Sequence, residues 1–196
     1  MARINIVKIR GEEETNCYLV SCSGTKAAAI IDPVAPPEKV LNQLGNLQLK
    51  WIVASHGHSE QLAGKAAIQE ATQAQSAMHM ADAKAFLRSA DRYLLDGEEL
   101  ELGEFKLQVL HTSGHTPGSL CFLIGNHLFT GDTLLAGGLV KPTPETDPQK
   151  QMISIATRIA PLPPATAIYP GRGPVTNLEN ELRTSPVFQA LRGAGA

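Results

Sequence analysis

Short apolar runs, separated by segments that contain glycine, proline and aspartate, dominate the first half of the 196-residue chain. Runs of about four to six residues are too short for most helices and are typical of buried strands. They occur at residues 4–7, 17–20, 28–31 and 51–54. Further strands are predicted at 105–110, 119–124, 127–130 and 167–169, with Gly125 and Asn126 as a hairpin turn before residue 127. The chain must therefore fold around β-sheets.

Helical patterns lie between and after these strands. Pro36 and Pro37 precede apolar residues at helical intervals, and proline is tolerated in the first turn of a helix. Further helices are expected at 62–72, at 147–162 and after Asn177. Strands first, then helices interspersed with strands, predict an α+β fold with mixed sheets covered by helices, and they exclude a helical bundle.

Length and composition limit the choice of partner and compartment. A chain of 196 residues fits one domain spanning 1–196, of which we expect only residues 192–196 to fray. The formal charge of -2 gives no reason to expect nucleic acid or an anionic membrane surface, so the predicted partner is a small molecule. No apolar run approaches the roughly 20 residues that cross a bilayer. Cys17, Cys22 and Cys121 lack the spacing of a disulfide framework, and the first residues given do not have the pattern of a signal segment. We therefore expect a cytoplasmic location.

Three polar clusters each follow a predicted strand. His56 and His58 stand two residues apart after the run at 51–54, His115 lies between glycines in a turn closed by proline, and Asp132 directly follows Gly131. Alone, the first pair is also typical of an exposed loop, and the aspartate of a turn cap. Neutral imidazole, however, is the commonest metal ligand. Three imidazoles and a carboxylate together form the ligand set of a catalytic zinc or iron site.

The segments SHGHSEQLAG, HTSGHTPGSL, LFTGDTLL and YPGRGPVT resemble the metallo-beta-lactamase superfamily in their order and spacing, and are closest to its glyoxalase II-like branch. Residues 16–20 and 30–33 resemble the opening hairpin of that family. The likeness covers nearly the whole chain. It implies a four-layer αββα sandwich of two mixed β-sheets, with a metal site in a cleft at one edge. We expect the helical C-terminal region that helps glyoxalase II to hold glutathione to be absent, so its thioester substrate is not implied.

The chain departs from the family pattern at three positions. Where the family motif reads H-x-H-x-D-H, Glu60 and Gln61 replace the aspartate and the last histidine. Arg172 replaces a further histidine in the P-G-H-G turn. In the family these three positions hold the second metal together with the residue that matches Asp132. A guanidinium stays charged and has no lone pair to donate, so Arg172 cannot bind a cation.

The resemblance therefore implies one divalent metal, with zinc preferred and iron as the alternative. In the family, the histidines that match His56, His58 and His115 hold the first metal, and all three are present. Asp132 is expected as a fourth ligand or as a base beside the metal. We expect the Arg172 guanidinium to face Asp132 and Glu60 as a countercharge in the place of the second ion.

These expectations favour a mononuclear metal-dependent hydrolase acting on a small ester, thioester or lactone. Glu60 or Asp132 would handle the proton, and Arg172 would steady an anionic intermediate or a substrate carboxylate. Two simpler explanations stay open at this point. Glu60 also suits the first turn of a helix, where a carboxylate is favourable, and Arg172 also suits a surface salt bridge.

Two further functions stay open. His56, His115 and Asp132 also form the two-histidine, one-carboxylate set of non-haem iron enzymes, and the family's persulfide dioxygenases resemble this arrangement. Those enzymes keep the complete first motif, which this chain does not. The loss of three second-site ligands is also typical of a fold retained for binding a metal or ligand without catalysis.

Overall fold

The computed structural model describes residues 1–193, so the last three residues of the tail that was expected to fray lie outside it. Its strands form two six-stranded sheets. The first sheet contains β1 (Ile4–Arg10), β2 (Asn16–Cys22), β3 (Ala27–Ile31), β4 (Gln48–Val53), β5 (Gln75–His79) and β6 (Arg92–Leu94). The second contains β7 (Glu99–Leu102), β8 (Phe105–His111), β9 (Leu120–Ile124), β10 (His127–Gly131), β11 (Ala167–Pro170) and β12 (Thr176–Asn177).

Both sheets are mixed. In the first sheet, β1, β2 and β3 pair antiparallel, and β3 to β6 continue as parallel neighbours in chain order. In the second sheet, β7 to β10 are antiparallel, β11 pairs parallel with β10, and β12 closes the edge antiparallel to β11. The turn expected at Gly125 and Asn126 joins β9 to β10, and Gly125 has the positive φ of 58° that such tight turns require.

Helices cover the outer face of each sheet. The α-helices are α1 (Pro37–Leu44), α2 (Lys65–Thr72), α3 (Met80–Ala85), α4 (Pro148–Ser154), α5 (Leu178–Thr184) and α6 (Pro186–Gly193). One apolar cluster lies between the two sheets and includes Tyr18 and Phe122. A second joins α1 and α2 to the first sheet through Val40 and Ile68, and a third joins the later helices to the second sheet through Phe188. The expected αββα sandwich is confirmed.

The layers explain why the early strands are continuous apolar runs. Every residue of β2 and β3 is buried, because these central strands have helices on one face and the other sheet on the opposite face. The edge strand β1 instead alternates between exposed and half-buried residues along most of its length. Within residues 1–193 no helix is long and apolar enough to span a membrane. The single-domain organisation stays a prediction.

Several boundaries differ from the sequence-based expectation. The helix expected at 62–72 is divided into a short 3₁₀-helix, Ser59–Leu62, and α2, because the Gly64 N–H turns away to bond the Pro33 carbonyl at 2.8 Å. The helix expected at 147–162 continues from α4 into a π-helix, Ile155–Ile159. The expected fraying was wrong for Arg192 and Gly193, which lie in α6.

The fold brings the polar clusters to one edge of the sandwich. His56, His115, Asp132 and Arg172 follow the carboxyl ends of β4, β8, β10 and β11 respectively. The two sheets meet at this edge, where the Leu120 N–H donates to the Ser55 carbonyl at 2.7 Å. The Asn16 N–H likewise donates to the Gly171 carbonyl at 2.8 Å. The candidate site is therefore assembled on backbone that both sheets fix.

Candidate metal centre

Three imidazoles meet at this edge. The ring centroids of His56 and His58, and of His56 and His115, are 4.7 Å apart, and those of His58 and His115 are 5.1 Å apart. One nitrogen from each ring lies within 4.8 Å of the others. His56 and His115 are only 1% and 2% exposed, whereas His58 is half-buried. Three nitrogen donors at this separation can converge on one ion.

The hydrogen bonding of these rings fits a metal. Nε2 of His56, both ring nitrogens of His115 and Oδ1 of Asp132 are buried and find no hydrogen-bond partner within residues 1–193. Buried polar atoms normally have a partner, so a cluster of such atoms around one point indicates a group that completes it. Burial lowers the pKa of His56 well below its usual value and also lowers that of His115. Both rings are therefore neutral at pH 7, which is the form that binds a metal.

His56 is held by a buried relay. Its Nδ1 lies 3.0 Å from Oγ of Ser55, and that hydroxyl donates to Oδ2 of Asp32 at 2.8 Å. The Ser55 N–H donates to the other Asp32 oxygen at 2.6 Å. Because Asp32 is fully buried, its pKa is raised to about 7 despite these two bonds. Because Nδ1 of His56 is used in this relay, the lone pair of Nε2 stays free to bind a metal.

A second buried carboxylate joins the two histidine loops. Asp82, in α3, accepts hydrogen bonds from the Gly57 N–H at 2.7 Å, the Thr116 hydroxyl at 2.7 Å and the Gly118 N–H at 2.6 Å. Gly57 lies between the first two histidines, and Thr116 follows His115. Sequence reasoning did not identify Asp82, because it is about 25 residues from one loop and 34 from the other.

Asp132 lies in the same cluster, with Oδ2 3.9 Å from Nε2 of His115. Its position depends on Gly131, which has φ of +48° and no room for a side chain, since an added Cβ would lie 2.2 Å from Oγ of Ser55. Gly171 is equally restricted, because an added Cβ there would lie 2.7 Å from Oδ1 of Asp132. Close backbone approach on both sides fixes this carboxylate.

Arg172 contacts both acidic residues that were expected beside it. Its Nε donates to Oδ2 of Asp132 at 3.2 Å, and its Nη2 donates to Oε1 of Glu60. Burial acts to lower the pKa of Arg172, but the two carboxylates outweigh it and raise the pKa above its usual value. The side chain of Arg172 is 26% exposed, whereas that of Glu60 is 49% exposed. Arg172 is therefore partly buried, unlike the arginine of a typical surface salt bridge.

The turn that carries Arg172 is fixed by side chains of β1 and β2. The Asn16 amide donates to the Pro170 carbonyl at 2.9 Å and to the Gly173 carbonyl at 3.0 Å. The Tyr18 hydroxyl also donates to the Pro170 carbonyl, at 2.7 Å, and the Lys8 ammonium donates to the Gly173 carbonyl at 2.6 Å. The guanidinium is thus presented from a rigid support.

A cavity of about 470 Å³ opens over the cluster. Its lining includes the polar residues of the cluster, namely His58, His115, Asp132, Glu60 and Arg172. It is also lined by Leu135, Ala136, Val140 and Lys141, and by the acidic residues Glu13 and Glu14. A volume of this size suits a small molecule.

The other three histidines, Cys121 and Gln61 are not among the residues that line this cavity. His79 and His111 stack on each other with ring centroids 4.2 Å apart, and His127 bonds the Tyr169 hydroxyl at 3.0 Å. Cys121 is fully buried, and burial raises the pKa of its thiol to about 11, which is typical of an unreactive core cysteine. Gln61 is fully buried, and its amide has no hydrogen-bond partner in the described part of the chain.

The chain belongs to the metallo-beta-lactamase superfamily, because the family model matches residues 10–172. A hydroxyacylglutathione hydrolase of Anaeromyxobacter dehalogenans is 33% identical over 89% of this chain and 68% of its own length. A probable polyketide biosynthesis zinc-dependent hydrolase of Bacillus velezensis, BaeB, is 28% identical over 88% of this chain and 81% of its own. The crystal structure of ETHE1 from Myxococcus xanthus superposes with a TM-score of 0.86 and 28% identity, covering 94% of this chain and 85% of that one. These relatives agree with the glyoxalase II-like branch that the motifs indicate.

Proposed function

We propose that the protein is a mononuclear metal-dependent hydrolase of a small ester, thioester or lactone. His56, His58 and His115 would hold one divalent metal, zinc in preference to iron, with Asp132 as a fourth ligand or as a base beside the metal. The resemblance to a zinc-dependent hydrolase and to a hydroxyacylglutathione hydrolase supports the reaction class. The cytoplasmic location expected from the cysteines belongs to the same proposal, as does the absence of nucleic-acid and membrane partners.

The contact of one guanidinium with both Asp132 and Glu60 carries the mononuclear part of the proposal. These are the carboxylates that a second cation would need. A fixed positive charge there neutralises them through charge-assisted hydrogen bonds and repels another ion. Gln61 stands where the family has a histidine, so it provides no imidazole for a second metal. The site therefore has one fixed positive charge where a second divalent metal would bring two, and it lacks that metal's Lewis acidity.

The residues around the cavity have separable roles in this proposal. When bound, the metal would polarise the scissile carbonyl and lower the pKa of a water molecule to about 7. Asp132 has one oxygen engaged by Arg172 and the other without a hydrogen-bond partner in residues 1–193, so it can accept the proton of an attacking water. Glu60, at the more exposed end of Arg172, would pass a proton to solvent.

Arg172 would also bind the substrate. A guanidinium has five N–H donors, and only two of the nitrogens that carry them are used on Asp132 and Glu60. Arg172 lines the cavity, so its remaining donors are available to an oxyanion or a carboxylate. The limited volume and the apolar lining at Leu135 and Val140 favour a short acyl or lactone group.

Steady-state assays of the zinc-loaded protein against a panel of esters, thioesters and lactones test the reaction class. We expect hydrolysis that His56→Ala reduces at least a thousandfold and that His127→Ala, which removes a histidine outside the cluster, leaves within about threefold. Loss of activity in both variants, or none in the unaltered protein, would contradict a hydrolase. Oxygen uptake by the ferrous protein with glutathione persulfide would favour the dioxygenase alternative, and metal binding without turnover on any substrate would favour a binding role.

A further inference from the structure

A loop formed by residues 141–147 lies over the histidine cluster and is tied to the turn that carries His115. The Thr146 hydroxyl donates to the His115 carbonyl at 3.2 Å, and the Asp147 N–H donates to the Gly114 carbonyl at 2.7 Å. The Thr143 N–H donates to Oγ1 of Thr146 at 3.0 Å, which closes the loop on itself. The backbone on both sides of Glu145 is therefore fixed relative to the cluster.

This anchoring places a carboxylate beside the most exposed of the three imidazoles. Oε2 of Glu145 lies 3.9 Å from Nε2 of His58. Asp132 and Glu60, which also lie beside the histidines, face Arg172 instead. Glu145 is thus the acid that is directed at a histidine without competition from a cation.

A histidine that binds a metal through one ring nitrogen usually donates its other N–H to a carboxylate, a carbonyl or water, which fixes the tautomer and raises the basicity of the ligating nitrogen. His56 has such support, through Ser55 to Asp32. For His58, the group that faces Nε2 is Glu145. A proton on Nε2, directed at that carboxylate, leaves Nδ1 with the lone pair that a metal needs.

The geometry points to Glu145 as the outer carboxylate partner of His58, a positioning residue that sets the tautomer of this ligand and strengthens its bond to the metal. A shift of about 1 Å in an exposed side chain brings the pair to hydrogen-bond distance. The loop at 141–147 is then part of the metal centre. This inference rests on the metal centre of the proposed function, and it is independent of the hydrolytic activity.

Metal affinity tests it directly. Zinc and cobalt affinities of the metal-free protein would be measured at pH 7.5 by competition with a chromophoric chelator. The samples would be the unaltered chain, Glu145→Gln, Glu145→Ala and the control Glu70→Gln, which removes the same charge from the exposed face of α2. Because loss of an outer partner typically weakens metal binding about 10- to 100-fold, we expect about a tenfold loss for Glu145→Ala and a smaller one for Glu145→Gln, which keeps a neutral acceptor. Glu70→Gln should stay within twofold, and the melting temperatures of the metal-free proteins should agree.

The outcomes separate this role from the proposed function. Equal affinities in the Glu145 variants and the unaltered chain would overturn the role of Glu145 and leave the metal centre intact. A loss beyond a thousandfold, with a changed intensity of the cobalt absorption bands, would make Glu145 a direct ligand and would also overturn it. Failure of the unaltered chain to bind either metal would overturn both proposals.

Discussion

Asp82 allows the clearest test of how the histidine loops are held together. Its carboxylate is completely buried and accepts three hydrogen bonds, from the Gly57 and Gly118 N–H groups and from the Thr116 hydroxyl. Asp82→Ala leaves the two N–H groups buried without an acceptor, and it leaves the Thr116 hydroxyl with only Oγ of Ser119, at 2.7 Å. A buried donor that loses its partner costs about 1–3 kcal/mol, and water entering the space recovers part of that cost. We therefore expect the free energy of unfolding to fall by about 3–5 kcal/mol.

This loss is large relative to the total stability of about 5–15 kcal/mol that is typical of a folded domain, and it corresponds to a fall of about 10 °C in melting temperature. Urea unfolding of the metal-free protein, followed by circular dichroism, measures it without a contribution from metal binding. Asp91→Ala is a matched control. Asp91 also accepts three hydrogen bonds, from Ser76 and Gln69, but it is exposed. Its loss should cost about 1 kcal/mol.

Both variants remove a carboxylate that accepts three hydrogen bonds, so a difference between their free energies of unfolding reports the effect of burial. If Asp82→Ala destabilised the chain no more than Asp91→Ala, the three bonds would not hold the loops, and the explanation of how the metal centre is positioned would be wrong. Asp82→Ala should also weaken zinc binding at least tenfold, because His56, His58 and His115 lie on the loops that it releases.

Two further predictions concern the lost second site and the response to acid. The triple variant Glu60→Asp, Gln61→His and Arg172→His restores the family's ligands, and we expect it to bind two zinc ions per chain by elemental analysis instead of one; a ratio that stays at one would place the cause elsewhere. The pKa of His79 is lowered, chiefly by its burial and also by His111. The unfolded chain therefore takes up a proton near the usual value of 6.5 before the folded chain does, and the free energy of unfolding falls as the pH drops below it. His79→Asn keeps an acceptor for the Ala81 N–H at the start of α3 and should make this fall shallower in urea unfolding between pH 7 and pH 5, whereas an unchanged slope would refute the assignment.

Much of the fold follows from local patterns. The strands β2, β3, β9 and β10 were predictable because most of their residues are buried and their apolar runs are nearly continuous. In β4 only the last residues, Ile52 and Val53, are buried in succession. The strands β6 and β7 have only three and four residues and carry charged side chains, so their pairing depends on neighbours that are distant in sequence. The division of the helix expected at 62–72 depends on a bond between Gly64 and Pro33, which is equally non-local.

The possible metal ligands of the site were predictable because histidine and aspartate are recognisable as ligands from the residue type alone. The imidazoles at 56, 58 and 115 and the acid at 132 were identified as possible ligands, and the structure places them together; their roles stay predictions. The supporting groups were not identifiable in the same way. Asp82 and Glu145 are ordinary acidic residues in sequence, and only the packing of α3 and of the loop at 141–147 against the cluster distinguishes them.

The metal-to-protein ratio tests the central claim most directly. The protein would be purified without added metal, saturated with zinc, freed of loosely bound ions by gel filtration and analysed by plasma mass spectrometry, with crystals measured by anomalous scattering at the zinc edge. We predict one zinc per chain, at the three histidines, with the Arg172 guanidinium against Asp132 and Glu60. Two tightly bound ions per chain, with the guanidinium displaced from both carboxylates, would contradict the claim that a permanently charged side chain takes the place of the second metal.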